Sequence, residues 1–263
     1  MKRILVIFNP AARHAKRLAN RRDGVTFAPT QGPGDATRIA AAARDYDLVV
    51  AAGGDGTINE VVNGLSGVPL GVLPLGTANV FAKELGLPAR LDAAWRVLEA
   101  GLTRRIDLGC AEFAGKTRHF VQLAGVGFDA QAVRSVNLNL KKKIGPLSYV
   151  VAGLKLLRTP GAAVLVGNGR YYGGKVPVFP KARLNDGLLD VCEFERFGWC
   201  ELCRYLPAIL MGRHTGLRGV RYYQTAELNC RLVAPVELDG EDAGDAPVKF
   251  SVKPGALQVV VPG

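Results

Sequence analysis

The residues best suited to chemistry begin at Gly53. Gly53-Gly54-Asp55-Gly56-Thr57 ends an apolar run, Leu48 to Ala52, and precedes a helical pattern. Glycines at such a junction permit positive φ and close backbone approach, so successive N–H groups can converge on phosphate oxygens at the positive end of a helix dipole. A carboxylate in that cradle would be repelled by phosphates unless a cation stood between them. Asp55 therefore points to a Mg2+-nucleotide, meeting the metal directly or through water. Thr57 is placed either to cap the helix or to touch a phosphate. A plain βα turn would use glycine for geometry but would need neither the carboxylate nor three glycines.

The next apolar run, Leu70 to Leu73, leads into a second glycine turn, Gly76-Thr77-Ala78-Asn79, with Thr77 again a cap or a phosphate contact. Two such turns in adjacent βα units belong at one edge of a parallel sheet, the edge where such sheets bind ligands. The chain has no G-x-x-x-x-G-K-[ST], and Gly53 to Gly56 does not fit G-x-G-x-x-G. Any ATP is held without a Walker loop or a dinucleotide fingerprint.

Positioning these turns falls to the first half of the chain, where short β-branched runs alternate with helical patterns. Strands are predicted at Ile4 to Phe8, Val25 to Ala28, Leu48 to Ala52 and Leu70 to Leu73. Helices are predicted at Asp35 to Arg44, Thr57 to Leu65 and Leu91 to Ala100, which together read as a βαβ parallel sheet. After Arg105 glycine-punctuated strands take over: Phe120 to Leu123, Ala163 to Val166, Leu188 to Phe194, Ala226 to Val233 and Leu257 to Val261. Helical patterns at Leu147 to Leu157 and Trp199 to Leu210 interrupt them. The expected division is an α/β domain over 1–105 with a mostly parallel sheet and a mostly antiparallel, β-rich domain over 106–263, the last residues packing back on the first.

Six motifs in order resemble the diacylglycerol kinase catalytic-domain family, which includes bacterial lipid kinases and the sphingosine and ceramide kinases. They are Asn9-Pro10, TQGPGDA from Thr30, GGDGTINEV from Gly53, LPLGTAN from Leu73, NDGLLDV from Asn185 and ELDGE from Glu237. The resemblance implies a C-terminal β-sandwich-type domain, a ligand cleft between the two domains, and a kinase that uses ATP and Mg2+. Carried over by position, it makes Asn9, Pro10, Thr30, Gly53, Gly54, Asp55, Gly56, Thr57, Asn59 and Thr77 nucleotide contacts. It makes Glu241 the proton acceptor, with Asp239 the other candidate in the same motif. Asp186 and the main-chain carbonyls of Arg183 and Leu188 become a Mg2+ site, alongside Asp55. Spacing alone leaves a D-G hairpin open at Asp239-Gly240-Glu241 and an Asx turn open at Asp186. Two departures stand out: Val80 occupies a position where many relatives carry aspartate, and Ala11-Ala12-Arg13 replaces the family's glycine loop.

The activity implied is phosphorylation of the hydroxyl of a diacylglycerol-like lipid. A soluble-metabolite kinase resembling NAD kinases and a catalytically silent nucleotide- or lipid-binding module are the alternatives. Thirty-four Lys and Arg against 23 Asp and Glu, a formal charge of +11, suit an anionic membrane surface or a nucleotide. No specific nucleic acid is expected, because the chain lacks helix-turn-helix, RNA-binding and zinc-finger signatures. Homodimerisation is left open. Lys141-Lys142-Lys143 with the apolar residues after it reads either as a basic amphipathic surface for anionic lipid or as a solvated run before a core helix. No apolar stretch reaches the ~20 residues of a spanning helix, so the expected location is cytoplasmic with peripheral membrane association. Five cysteines without paired spacing fit a reducing compartment, and Cys200-x-x-Cys203 reads as ordinary helix cysteines. His14, His119 and His214 show no ligand spacing.

Overall fold

The computed structural model describes residues 3–12, 14–18, 24–113, 115–134 and 161–263. The Lys141 to Lys143 run and the helix expected at Leu147 to Leu157 lie outside the described residues. Contacts divide the chain into two units, Met1–Asp107 with Pro254–Gly263, and Leu108–Lys253.

The first unit contains β1 (Ile4–Phe8), β2 (Val25–Pro29), α1 (Asp35–Ala41), β3 (Leu48–Gly53), α2 (Asp55–Gly64), β4 (Leu70–Pro74), α3 (Val80–Glu84) and α4 (Leu91–Ala100). Its strands pair in the order β2-β1-β3-β4, all parallel. Every residue of β3 and β4 is buried, as expected of strands covered on both faces, and this is why they read as unbroken apolar runs. Helix α4 turns Ala94, Trp95 and Leu98 into a core with Val6, Val50 and Leu73. Helices α1 and α2 lie so close that a Cβ at Gly64 would collide with the carbonyl of Thr37. Thr37 Oγ1 donates to Glu60 O at 2.8 Å, and Glu60 Oε2 accepts the Ala36 N–H at 3.1 Å.

Strand β5 (Thr103–Phe113) carries the chain into the second unit, followed by β6 (Lys116–Phe120), β7 (Leu123–Gly127), α5 (Phe128–Arg134), β8 (Gly161–Gly167) and β9 (Leu189–Phe197). Then come α6 (Trp199–Leu210), β10 (Val220–Thr225), β11 (Glu227–Cys230), β12 (Pro235–Leu238), β13 (Glu241–Asp245) and β14 (Val248–Val260). Six of these strands form an antiparallel sheet in the order β10-β9-β8-β7-β12-β13. Alternate residues feed separate cores: Ala124, Val166 and Val236 join Phe120 and Phe250, whereas Leu123, Leu165 and Phe194 join Tyr205 and Ile209 of α6. The start of β14 pairs antiparallel with β11, and its end meets β4 in parallel, Val259 opposite Leu70.

One predicted strand is corrected. Phe120 to Leu123 is not a single strand but the junction of β6 and β7. The N–H groups of Val121, Gln122 and Leu123 all point at one carboxylate, which an extended strand, with N–H groups alternating in direction, cannot do.

Candidate functional site

In the first unit the parallel strands end in register: Phe8 stands opposite Pro29 and Ala52, and Gly53 opposite Pro74. Asn9, Pro10, Thr30, Gly53 to Thr57 and Thr77 are thereby collected at one sheet edge. Asn9 Oδ1 accepts the Ala11 N–H at 2.8 Å, and Thr30 N–H donates to Phe8 O at 2.9 Å.

The two glycine turns lean on each other. Leu75 and Gly76 both donate their N–H to Gly53 O, at 2.9 and 3.1 Å. A Cβ on Gly76 would run into the Cα of Gly54, whereas a Cβ on Gly54 would find only Gly76 Cα, at 3.4 Å. None of Gly53, Gly54 and Gly56 has positive φ. Their use is space: Gly53 accommodates the Thr57 side chain, Gly54 and Gly76 let two backbones touch, and Gly56 lies in the first turn of α2.

Neither threonine is a cap. Gly54 holds the N-cap position of α2, with Thr57 inside the first turn. Asn79 holds that of α3 in the left-handed region, φ 48°. Its amide is closed onto Gly76, Oδ1 accepting N–H and Nδ2 donating to O, each at 3.0 Å. Thr77 is exposed in the turn.

Gly76→Ala is therefore expected to lower stability by about 1–3 kcal/mol through backbone overpacking. Gly54→Ala, in extended backbone with room for the methyl, stays within about 1 kcal/mol of the parent. If the turn cradles a phosphate, Gly54→Ala still loses nucleotide affinity. Urea titration paired with nucleotide calorimetry separates the two effects.

Asp55, the first residue of α2, is half-buried, and its Oδ1 accepts the Phe81 N–H at 3.1 Å, tying one glycine turn to the helix that follows the other. Burial pushes its carboxyl up, against the N–H groups of Phe81 and Val80, which favour the ionised form. The Val80 side chain is buried. Asn59 is also buried, with Asn63 Nδ2 donating to its carbonyl at 2.9 Å and to its Oδ1 at 3.2 Å.

In the second unit the ELDGE motif forms the β12–β13 hairpin, with Leu238 opposite Glu241. Asp239 and Gly240 both have positive φ, 49° and 84°, the pair of left-handed residues a tight two-residue hairpin requires. Asp239 Oδ2 accepts the Val121 N–H at 2.9 Å, and Oδ1 accepts those of Gln122 and Leu123 at 2.9 and 3.0 Å. Three main-chain donors thus occupy the carboxylate. Glu241, the other acid of the motif, is partly exposed, with Arg118 at 3.8 Å.

Two further acids beside this hairpin escaped sequence reasoning. Asp129 Oδ2 and Glu237 Oε1 converge over Gly125, where a Cβ would lie 2.5 Å from the first and 3.1 Å from the second. Tyr172 donates its hydroxyl to Asp129 Oδ1 at 2.5 Å, and Gly240 N–H donates to Glu237 Oε2 at 2.7 Å. Glu237 is 1% exposed. Burial pushes both carboxyls above the ordinary range; bonds from Tyr172 and Glu237 pull Asp129 back, while the charges of Asp129 and Asp239 drive Glu237 further up. Two buried carboxyls this close disfavour a second charge, and the protonated form is favoured most at Glu237. The available signal was the first glutamate of ELDGE and the aspartate of GVGFDA, neither of which spacing distinguishes from a solvated acid.

A raised folded pKa contributes stability that is fully present below the unfolded value near 4.5 and is lost as pH rises through the folded value. Relative to Glu237→Gln, which has no proton to lose, the parent is expected to lose stability with rising pH. Urea midpoints of both proteins from acidic to alkaline pH check the sign, and contributions from groups other than Asp129, which is coupled to Glu237, cancel in the difference.

At Asn185-Asp186-Gly187, Asp186 Oδ1 accepts the Leu188 N–H at 3.1 Å and Gly187 has φ 71°, so an Asx turn is present. Among the described residues no cluster of three or more His, Cys, Asp or Glu side chains is arranged for a metal. The set expected here, one carboxylate with the carbonyls of Arg183 and Leu188, is of different make. Cys200 and Cys203 are exposed on α6, and His214 is buried with Nε2 2.9 Å from Val178 O.

Comparison with known proteins places the chain among kinases. Residues 3–111 match the diacylglycerol kinase catalytic domain, and residues 155–261 match the YegS C-terminal NAD kinase beta sandwich-like domain. A diacylglycerol kinase of Bacillus subtilis is 31% identical, covering 100% of this chain and 97% of that protein. A probable lipid kinase YegS-like protein of Yersinia enterocolitica is 34% identical over 92% of this chain and 89% of its own length. The crystal structure of a putative diacylglycerol kinase from Bacillus anthracis shares the fold, with a TM-score of 0.80 at 22% identity, covering 99% of this chain and 95% of that one.

Proposed function

The chain belongs to the diacylglycerol kinase catalytic-domain family, and from that premise we propose that it transfers the γ-phosphate of ATP to the hydroxyl of a diacylglycerol-like lipid. The observation that carries the reading is the pair of glycine turns at one sheet edge, Gly54 against Gly76, which strips side chains from the backbone where phosphates would lie. Asn9, Pro10, Thr30, Gly53 to Thr57 and Thr77 line that edge as the nucleotide contacts, and Asn59, in the helix that the first turn opens, completes the set. Asp239 is held by three N–H groups, so the proton of the attacking hydroxyl goes to Glu241.

Mg2+ suits the oxygen donors present: Asp55, whose burial-raised carboxyl a cation would return to the ionised form, and Asp186 with the carbonyls of Arg183 and Leu188. When bound, the ion neutralises phosphate charge. No described helix is long and apolar enough to cross a membrane, and the lipid is met peripherally, at an anionic surface.

The test supplies purified protein with labelled ATP, Mg2+ and a lipid extract, and identifies the phosphorylated product by mass spectrometry. A phosphorylated diacylglycerol-like lipid supports the reading. Label on NAD instead would transfer the chain to the soluble-metabolite kinases, and tight ATP binding without turnover would make it a silent module.

A further inference from the structure

Helix α6 is apolar on its outward face as well as its inward one. Tyr205 and Ile209 turn inward and pack with Phe194. At 100° per residue the outward face carries Cys200, Cys203, Leu206, Pro207 and Leu210, and Met211 follows the last turn. All six are exposed; Leu206, Leu210 and Met211 are exposed to 44%, 58% and 68%. A surface helix ordinarily turns charge toward water, but here the one charged residue at this face is Arg204, at its margin. Arg204 reaches the carbonyl of Arg218 at 2.8 Å, and Arg213 follows two residues after Met211; all three arginines are exposed. The helix's acid, Glu201, lies off this face, partly buried and 3.5 Å from Arg196.

We infer that this apolar face of α6, with its arginine rim, docks on an anionic lipid bilayer. Leu206, Leu210 and Met211 enter the boundary between headgroups and acyl chains, and Arg204, Arg213 and Arg218 meet lipid phosphates. Charge selects the occupant. A two-fold contact with a second copy would set this basic rim against itself, whereas an anionic bilayer supplies both the apolar medium and the opposite sign. The inference rests on the lipid-kinase reading for its choice of partner, and gives that reading a surface.

The exposed pair Cys200 and Cys203 provides the probe, because Cys110, Cys192 and Cys230 are buried. An environment-sensitive thiol fluorophore on the exposed pair is expected to shift to the blue with phosphatidylcholine vesicles containing phosphatidylglycerol, and less as salt is raised. The unlabelled triple variant Leu206→Gln, Leu210→Gln, Met211→Gln should sediment with these vesicles at least about tenfold more weakly than the unlabelled parent. Circular dichroism should show it folded. Arg204→Gln with Arg218→Gln should lose the preference for anionic over neutral vesicles.

Undiminished sedimentation of the folded triple variant overturns the inference, as does sedimentation of the parent without a spectral shift. Light scattering that shows a dimer in the parent and a monomer in the variant, with vesicle binding unchanged, assigns the face to a second copy instead. Phosphorylation of a short-chain diacylglycerol dispersed as monomers separates this inference from the function itself. Parent and triple variant should act on it alike. If neither phosphorylates any lipid the kinase reading fails, while vesicle sedimentation still judges the surface.

Discussion

Glu241→Gln is expected to give a folded protein whose transfer of phosphate to lipid falls by about two to four orders of magnitude, the usual contribution of a positioned base. The substitution keeps the shape of the side chain and removes its capacity to take a proton. The ion pair to Arg118 that it weakens is long, 3.8 Å, and both side chains are about one-third exposed. Pairs of this kind are worth about 0–1 kcal/mol, too little to unfold a domain and mimic a catalytic defect. Turnover at saturating ATP and lipid, nucleotide affinity and melting temperature should be measured together. Loss of turnover with the other two unchanged supports the assignment; turnover that survives removes Glu241 from the role.

Asp239→Ala, two residues earlier, is expected to fail in another way. It leaves the N–H groups of Val121, Gln122 and Leu123 without the carboxylate that gathers them, in a buried segment where each orphaned donor costs about 1–3 kcal/mol. It also places alanine in the left-handed region, at about 1–2 kcal/mol. After relaxation and water entry the net loss should be roughly 3–5 kcal/mol, a large share of the ~5–15 kcal/mol that holds a domain together. Urea unfolding measures it directly. Lost activity in this variant should follow lost structure, and an unchanged unfolding midpoint would contradict the clamp.

The contrast between these two acids marks the limit of sequence reading. ELDGE singled out the hairpin and the pair Asp239 and Glu241, but two carboxylates in one motif look alike until the groups around them are known. The N–H groups held by Asp239 come from residues more than a hundred positions away, and the same clamp broke the strand predicted across Phe120 to Leu123. Asp129 and Glu237 were invisible for a related reason: the upward shift of their carboxyls depends on burial and mutual approach over Gly125. At the second glycine turn Thr77 was the natural choice of cap. Asn79 took that position because its amide closes onto Gly76.

The parallel sheet of the first unit was legible in the residue pattern alone. Buried strands must be continuously apolar, so β1, β3 and β4 were predicted within a residue of where they stand, and α4 followed from its 3.6-residue period. That pattern determined too that glycine turns with Asp55 close two adjacent strands, and therefore share an edge. Strands such as β10 and β12, short and of mixed polarity, were missed because partners distant in sequence define them. The fold alone sets what each group does: that Gly53 and Gly54 provide space and not positive φ, that Asp239 holds the chain while Glu241 stays partly exposed, and that α6 turns leucines to the outside. Those roles depend on which donors, charges and surfaces the fold brings within a few ångströms, a property of non-local contact that spacing along the chain does not encode.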